Sequence, residues 1–194
     1  MEEKMYSNWE ELGKNCKTCE KCKLSKTRTN VVFGEGNKEA DLMFIGEGPG
    51  ADEDYTGIPF VGRAGKLMNM AFQGIGIDRD KVYIANIVKC RPPGNRNPQD
   101  DEINACLDYL RNQVILLKPK IIVLLGSVAL KTILGKDLGI TNSRGRWFNK
   151  NGILYMPTFH PAALLRDDTK KIYFWKDLKE VKKRLEEMNK EWNF

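Results

Sequence analysis

Five cysteines are the residues of this 194-residue chain whose type and spacing point most directly to chemistry. Cys16, Cys19 and Cys22 follow one another with two residues between neighbours, and Cys90 and Cys106 lie far along the chain. Clustered thiolates bind zinc or iron–sulfur clusters, whereas disulfides are rare in reducing compartments. The cysteines therefore predict a metal or redox centre.

The spacing restricts the form of this centre without identifying the metal. A bacterial ferredoxin loop needs a fourth cysteine followed by proline, but Lys26 and Thr27 occupy those positions. A zinc ribbon needs a second closely spaced pair, but fifteen residues separate Cys90 from Cys106. We expect an N-terminal pair to join these two cysteines in a four-thiolate site, which suits either zinc or an iron–sulfur cluster. Taken alone, the two distant cysteines would be read as small buried apolar residues.

A second group of chemically capable residues follows apolar runs that read as strands. The glycine-rich segment 46–50 (GEGPG) opens a long segment that reaches residue 62, and such loops are often functional, although a structural turn explains the glycines equally well. Asn86 interrupts an apolar run, and His160 is the only histidine of the chain. Ligands of open α/β sheets bind beyond the carboxyl ends of the strands, so we expect a pocket there. Asn86 could instead hold a neighbouring loop.

The elements that must position these residues alternate along the chain. The apolar runs that read as buried strands are residues 42–46, 82–88, 121–125 and 154–159. Helical patterns occupy residues 64–75, 98–117, 127–134 and 169–190, with Ser127 as the expected N-cap of the third. This alternation predicts a single α/β domain over residues 1–194, with crossover helices linking the strands of a parallel sheet.

Composition and charge exclude several classes of protein. With 41% hydrophobic and 30% charged residues, the chain is neither disordered nor collagen-like. No run approaches the roughly 18 apolar residues of a membrane span. The segment MEEKMYSNWEEL lacks a signal-peptide pattern, so we expect a cytosolic protein. The net charge of +6 mildly favours a polyanionic partner such as DNA or RNA.

Four segments taken together resemble the family 4 uracil-DNA glycosylases, the iron–sulfur-containing branch of that superfamily. They are GEGPGADEDYTGIPFVGRAG, YIANIVKCRPPGNRNP, KIIVLLGSVAL and TFHPAALLR, and the similarity runs from about Cys19 to Arg166. The resemblance implies a three-layer α/β/α sandwich around a four-stranded parallel sheet. It also implies a base excision repair enzyme that flips uracil out of double- or single-stranded DNA, hydrolyses its N-glycosidic bond and leaves an abasic site. We expect a monomer that is not associated with membranes.

The resemblance also implies the identity of the metal group. Members of this family bind a [4Fe–4S] cluster through four cysteines, which correspond here to Cys19, Cys22, Cys90 and Cys106. Cys16 is then an additional thiol that departs from the family pattern. A ligand pair formed by Cys16 and Cys19 is the alternative.

Roles in base recognition follow from the same resemblance. Phe60 would stack on the uracil ring, Asn86 would read its polar edge, and His160 would donate a hydrogen bond to O2 as negative charge develops there. Glu53 would occupy the space of the thymine methyl group. The backbone of residues 46–48 would contact the base edge.

The segment 46–48 also bears on the attacking water. Many superfamily members carry an Asp or Asn that positions this water where this chain has Gly48, so that role is vacant here. Glu47 would help to orient the water or the base.

Contacts to DNA are also implied by the resemblance. Leu164 would be the wedge that enters the base stack, and Arg91, Arg96 and Arg166 would meet phosphates. The competing hypothesis is a non-catalytic nucleic-acid-binding protein with a structural four-cysteine metal site. A redox protein that uses the cluster is a third hypothesis.

Overall fold

A six-stranded sheet forms the centre of the computed structural model, which describes residues 5–191. The strands are β1 (Glu35–Gly36), β2 (Leu42–Gly46), β3 (Tyr83–Asn86), β4 (Ile121–Leu125), β5 (Phe148–Lys150) and β6 (Ile153–Thr158). Their spatial order is β1-β3-β2-β4-β6-β5. The inner four are parallel, and β1 and β5 pair antiparallel at the two edges.

Helices cover both faces of this sheet. They are α1 (Trp9–Lys17), α2 (Ala51–Thr56), α3 (Arg63–Ile75), α4 (Asp100–Leu117), α5 (Gly126–Leu134), α6 (Ile140–Ser143), α7 (Pro161–Leu164) and α8 (Thr169–Glu191). One apolar core lies between the sheet and α1, α4 and α5, and the other between the sheet and α3, α7 and α8. The predicted three-layer α/β/α class is therefore confirmed. None of the described helices is long and apolar enough to cross a membrane.

The structure corrects three details of the expected elements. The sheet has six strands rather than four, because the two short edge strands carry no apolar run. The polar segment expected as loop contains α2. Ser127 lies inside the first turn of α5 rather than at its N-cap position, which Leu125 holds. The predicted single domain over residues 1–194 extends beyond the described residues at both ends and stays a prediction.

The strand order places the carboxyl ends of the inner strands at one edge. The four buried strands are nearly uninterrupted apolar runs, as expected when both faces of a parallel sheet are covered. The crossovers run in opposite directions from β2, toward β3 on one side and β4 on the other. Such a switch point opens a crevice beyond the strand ends.

Candidate active site

A cavity of about 440 Å³ lies at this carboxyl edge. All four inner strands contribute residues immediately after they end or at their last position. Six of the seven residues predicted to contact uracil line it: Glu47, Gly48, Glu53, Phe60, Asn86 and His160. The structure thus brings together side chains that are more than one hundred residues apart in sequence.

Asn86, the last residue of β3, is the polar group at the base of this cavity. Its side chain is 1% exposed, and its Oδ1 is the buried side-chain oxygen or nitrogen that finds no hydrogen-bond partner within residues 5–191. A buried acceptor without a partner is unfavourable by about 1–3 kcal/mol, and native proteins pair almost all such groups. The amide is therefore set to receive a donor from a ligand.

Gly46 supports the cavity from behind rather than lining it. A Cβ at this position would lie 2.4 Å from Asn86 Oδ1 and 2.6 Å from Phe60 Cζ, so only glycine lets the two side chains meet. The Gly46 carbonyl accepts a hydrogen bond from the Ile87 N–H over 2.9 Å. The predicted contact between the Gly46 backbone and a base stays a prediction, and the structure adds this supporting role.

Phe60 reaches the cavity through a strained backbone. Its φ is +54°, a left-handed conformation that a bulky residue rarely adopts, and its ring centroid lies 5.7 Å from that of His160. The Gly65 position leaves no room for a Cβ, which would lie 1.9 Å from the Phe60 carbonyl oxygen. The surrounding chain therefore imposes the position of the aromatic ring.

Glu53 fixes the loop that carries Phe60. Its Oε1 accepts hydrogen bonds from the Val61 N–H at 3.0 Å and the Gly62 N–H at 2.8 Å, and its Oε2 accepts one from the Gly50 N–H at 3.1 Å. Three donors hold the carboxylate as a rigid part of the cavity wall. The sequence indicated a wall residue, and the structure adds this loop-anchoring function.

His160 is held in one orientation and one tautomer. Its Nδ1 accepts a hydrogen bond from the Ala162 N–H over 3.1 Å, so the proton of the neutral ring lies on Nε2. Burial, with a smaller effect from the positive charge of Arg166, lowers the pKa of His160 to about 4. At neutral pH the residue is an uncharged imidazole with one free donor.

Glu47 and Gly48 complete the turn after β2. Burial raises the pKa of Glu47, and the charge of Arg166 opposes this effect. At Gly48 a Cβ would lie 2.8 Å from Val88 Cγ2, so the packing of the following loop leaves no room for a larger residue. Glu47 is therefore the carboxylate of this turn that remains free to act in the cavity.

Two of the three arginines expected to contact DNA line the cavity. Arg166 lines the cavity wall, but Arg96, which also lines it, directs both terminal nitrogens to the Glu102 carboxylate at 2.8 and 2.6 Å. Arg91 lies outside the lining, and its Nε donates to Asn95 Oδ1 over 2.7 Å.

The expected wedge residue is corrected by the structure. Leu164, in α7, is fully buried in the core that α7 and α8 share, so it is not free to enter a base stack. The next residue, Leu165, is 44% exposed beside Arg166. Sequence reasoning also missed Ser127, which lines the cavity immediately after β4. The rule that placed His160 at a strand end applies equally to Ser127.

A second cavity contains all five cysteines. Cys16 lies at the end of α1, Cys19 and Cys22 in the following segment, Cys90 beyond β3, and Cys106 on α4. All are free thiols. No group of three or more His, Cys, Asp or Glu side chains in the described part of the chain is arranged to hold a metal ion.

Three cationic side chains line this cysteine cavity: Lys21, Arg28 and Lys89. Arg28 Nη1 lies 3.4 Å from Cys90 Sγ, and the Lys89 N–H donates to Cys106 Sγ over 3.2 Å. The Lys89 ammonium, 1% exposed, donates to the Asn86 carbonyl at 2.9 Å and to Gln113 Oε1 at 2.6 Å. Burial lowers its pKa to about 8, and the neighbouring cysteines oppose that shift.

Comparison with known proteins agrees with this fold. The family model described as the Uracil DNA glycosylase superfamily matches residues 33–188. A type-4 uracil-DNA glycosylase of Sulfurisphaera tokodaii is 45% identical over 174 residues, covering 85% of this chain and 79% of the relative. The type-4 uracil-DNA glycosylase of Thermotoga maritima is 46% identical over 160 residues, covering 80% and 82%. That of Saccharolobus solfataricus is 43% identical over 187 residues, covering 92% and 87%. The chain belongs to the uracil-DNA glycosylase superfamily and, within it, to the type-4 family.

Proposed function

We propose that this protein is a DNA repair enzyme that binds uracil flipped out of DNA, hydrolyses its N-glycosidic bond and leaves an abasic site. The observation that carries the proposal is the buried, unpartnered Oδ1 of Asn86, which lies beside Phe60 in a cavity that His160 also lines. An extruded pyrimidine supplies both the missing donor and a flat ring for Phe60 to contact.

Asn86 distinguishes uracil from cytosine by the direction of its hydrogen bonds. Its Oδ1 accepts from uracil N3–H, and its Nδ2 donates to uracil O4. Cytosine presents an acceptor at N3 and a donor at its 4-amino group, so both contacts would be mismatched in a buried site. Thymine offers the same polar edge as uracil, and its methyl group is excluded by the fixed wall that includes Glu53.

His160 stabilises the leaving base. When the bond between N1 and C1′ of the sugar breaks, the bonding electrons pass to uracil, and negative charge develops on O2. The Nε2–H of neutral His160 donates to this oxygen without any prior rearrangement, because the Ala162 N–H already fixes the ring.

Glu47 is the proposed partner of the attacking water. Of the two carboxylates that line the cavity, Glu53 is bound to three backbone N–H groups, which leaves Glu47. The water oxygen forms the new bond to C1′, and the proton that it releases passes to the Glu47 carboxylate. Burial raises the pKa of this group, which strengthens it as a base.

DNA binding is proposed at the rim of the same cavity. Exposed Leu165 would fill the gap that the flipped nucleotide leaves, and Arg166 would meet a phosphate next to it. Flipping is unfavourable by a few kcal/mol in a duplex and less in a single strand, so we propose activity on both. We further propose that the enzyme acts as a monomer in the cytoplasm, where free thiols are maintained.

A [4Fe–4S] cluster bound by Cys19, Cys22, Cys90 and Cys106 fits the cysteine cavity. Four cysteine thiolates are the ligand set that such a cluster takes in proteins. The Lys89 ammonium is buried with no carboxylate paired to it within residues 5–191. An unpaired buried charge is strongly unfavourable, so the site calls for an anionic group such as a thiolate-bound cluster. The bound cluster would cross-link the N-terminal segment to the sheet.

An oligonucleotide assay tests the proposed function. The protein is incubated with strands that carry one U·G, U·A, T·G or C·G pair, and with a single strand that carries uracil, followed by alkali. We expect cleavage at uracil in duplex and single strand, and none at thymine or cytosine. Intact uracil strands at stoichiometric enzyme would leave the non-catalytic binding protein as the explanation. Iron analysis separately tests the cofactor, with about four atoms per chain and absorption at about 400 nm expected.

A further inference from the structure

We propose that Cys16 is a reserve ligand, which binds the iron normally held by Cys22 when the Cys22 thiolate is lost. This inference rests on the iron–sulfur centre proposed above. It assigns a chemical task to the one cysteine that the four-thiolate site does not use.

The position of Cys16 places a fifth thiol at the cysteine cavity. Cys16 is 1% exposed and lines this cavity together with the four proposed ligands. The Cys19 N–H donates to the Cys16 carbonyl over 3.2 Å, which closes a turn at the end of α1. The turn keeps both residues at the cavity instead of letting the chain run away from it.

The spacing identifies Cys22 as the ligand that can be replaced. Cys16 and Cys19 repeat the two-residue spacing of Cys19 and Cys22, so the shift preserves a complete pair with Cys19 as the common member. The other two ligands, Cys90 and Cys106, come from separate elements, and neither has a second cysteine close to it in sequence. Their loss therefore has no local substitute.

The exchange balances without an oxidant or a reductant. Cys16 would take the place of Cys22 as a thiolate ligand of the proposed cluster, and the proton of the Cys16 thiol would pass to the Cys22 thiolate that it displaces. In a variant that lacks the Cys22 thiol, this proton goes to solvent when the cluster is assembled. The Lys89 ammonium, which also lines the cavity, stabilises the incoming thiolate as it stabilises the others.

The competing explanation treats Cys16 as a small apolar side chain of the core, which is a common role for a free cysteine. The two explanations differ in a double variant. If Cys16 is only an apolar core residue, its replacement by alanine leaves the iron content unchanged whether or not Cys22 is present. If Cys16 is a reserve ligand, its replacement by alanine changes the iron content little when Cys22 is present and lowers it strongly when Cys22 is absent.

The test compares iron and sulfide content, absorption at about 400 nm and thermal unfolding. The proteins are the full-length wild type and the variants Cys16→Ala, Cys22→Ala, Cys16→Ala/Cys22→Ala and Cys90→Ala, all purified without oxygen. We expect both single variants at positions 16 and 22 to keep most of their iron. The double variant and Cys90→Ala should lose iron about tenfold or more.

Loss of iron from Cys22→Ala alone would overturn the inference, even if the double variant does not fold. Equal iron in Cys22→Ala and the double variant would also overturn it, in favour of the apolar role. These failures differ from a failure of the proposed function. A wild type that is loaded with iron but inactive on uracil contradicts only the enzymatic proposal, and a wild type without iron contradicts both the cofactor and the reserve ligand.

Discussion

The cavity that Asn86 lines and the cysteine cavity both adjoin β3 and the segment that follows it. They differ in how far the protein chain alone satisfies their polar and charged groups. In the first, Glu53, Gly46 and the Ala162 N–H fix Phe60, Asn86 and His160, and the buried Asn86 Oδ1 has no hydrogen-bond partner within residues 5–191. In the second, the buried Lys89 ammonium lies near the thiols of Cys16, Cys90 and Cys106, with no carboxylate paired to it in the described chain. The protein chain alone organises the first site, whereas the second would be completed by the anionic cluster proposed to bind there.

The largest effect is expected from substitutions in the cavity that Asn86 and His160 line, which should lower activity without lowering the iron content. His160→Ala removes the donor to O2, and Asn86→Ala removes the reader of the uracil edge. We expect each to lower the single-turnover rate about 100- to 1,000-fold, the size seen when one preorganised oxyanion donor is removed. Iron content and thermal unfolding serve as controls and should stay near wild type. Unchanged turnover in either variant would remove that residue from the site.

The next effect should fall on the cysteine cavity. Lys89→Met replaces the ammonium by an apolar group of similar length, so the proposed cluster loses a neighbouring positive charge. We expect a several-fold lower iron content after purification in air and faster loss of absorption at about 400 nm. Lys179→Met, on the exposed side of α8, is the matched control and should match wild type. Wild-type retention of iron in Lys89→Met would contradict the electrostatic account of this cavity.

A smaller effect separates two adjacent leucines at the rim. Leu165→Ala should lower activity on duplex substrate several-fold, leave activity on a single strand nearly unchanged and keep the unfolding temperature. Leu164→Ala creates a cavity in the core and should lower the free energy of unfolding by about 2–5 kcal/mol. A duplex-specific defect in Leu164→Ala without destabilisation would restore Leu164 as the wedge.

The smallest expected effect is that of pH near neutrality. Because the pKa of His160 is lowered to about 4, its protonation state does not change between pH 6 and 8. Activity that depends on this residue should fall only as pH approaches 4, where a proton on Nδ1 breaks the bond from the Ala162 N–H. The free energy of unfolding changes in the same direction. Between the ordinary histidine pKa of about 6.5 and the lowered value, the unfolded chain binds more protons than the folded chain, so the free energy of unfolding falls as pH falls.

The pH profile of kcat/KM on a short uracil oligonucleotide measures this effect. An ionisation near pH 6.5 that disappears in His160→Ala would show that the imidazole is solvated, contrary to the structure. The profile of Glu47→Gln separates the contribution of the carboxylate, whose pKa burial raises.

The sequence predicted the parts of the molecule that repeat a simple physical pattern. The apolar runs of β2 and β4 match their strands residue for residue, because strands buried on both faces contain little else. His160 was found by its position at a strand end, and Asn86 was found as a polar residue that interrupts an apolar run. Phe60 and Glu53 had no such signal and depended on the similarity of whole segments to a known family.

Other features could not be read from the sequence because tertiary contacts decide them. The edge strands β1 and β5 are two and three residues long, with no apolar pattern. Leu164 and Leu165 are identical in type, and only packing distinguishes the buried one from the exposed one. Lys89 is the clearest case, because lysine is almost never fully buried and nothing in its local sequence indicates that it would be.

The placement of Lys89 also bears on the order in which the protein is assembled. Without the proposed cluster, the chain would have to enclose in its apolar interior an ammonium group that has no carboxylate partner within residues 5–191, so the layer formed by α1 and α4 should pack firmly only after the cluster binds. Because the same ammonium donates to the carbonyl of Asn86, a chain that lacks the proposed cluster should also recognise the damaged base poorly.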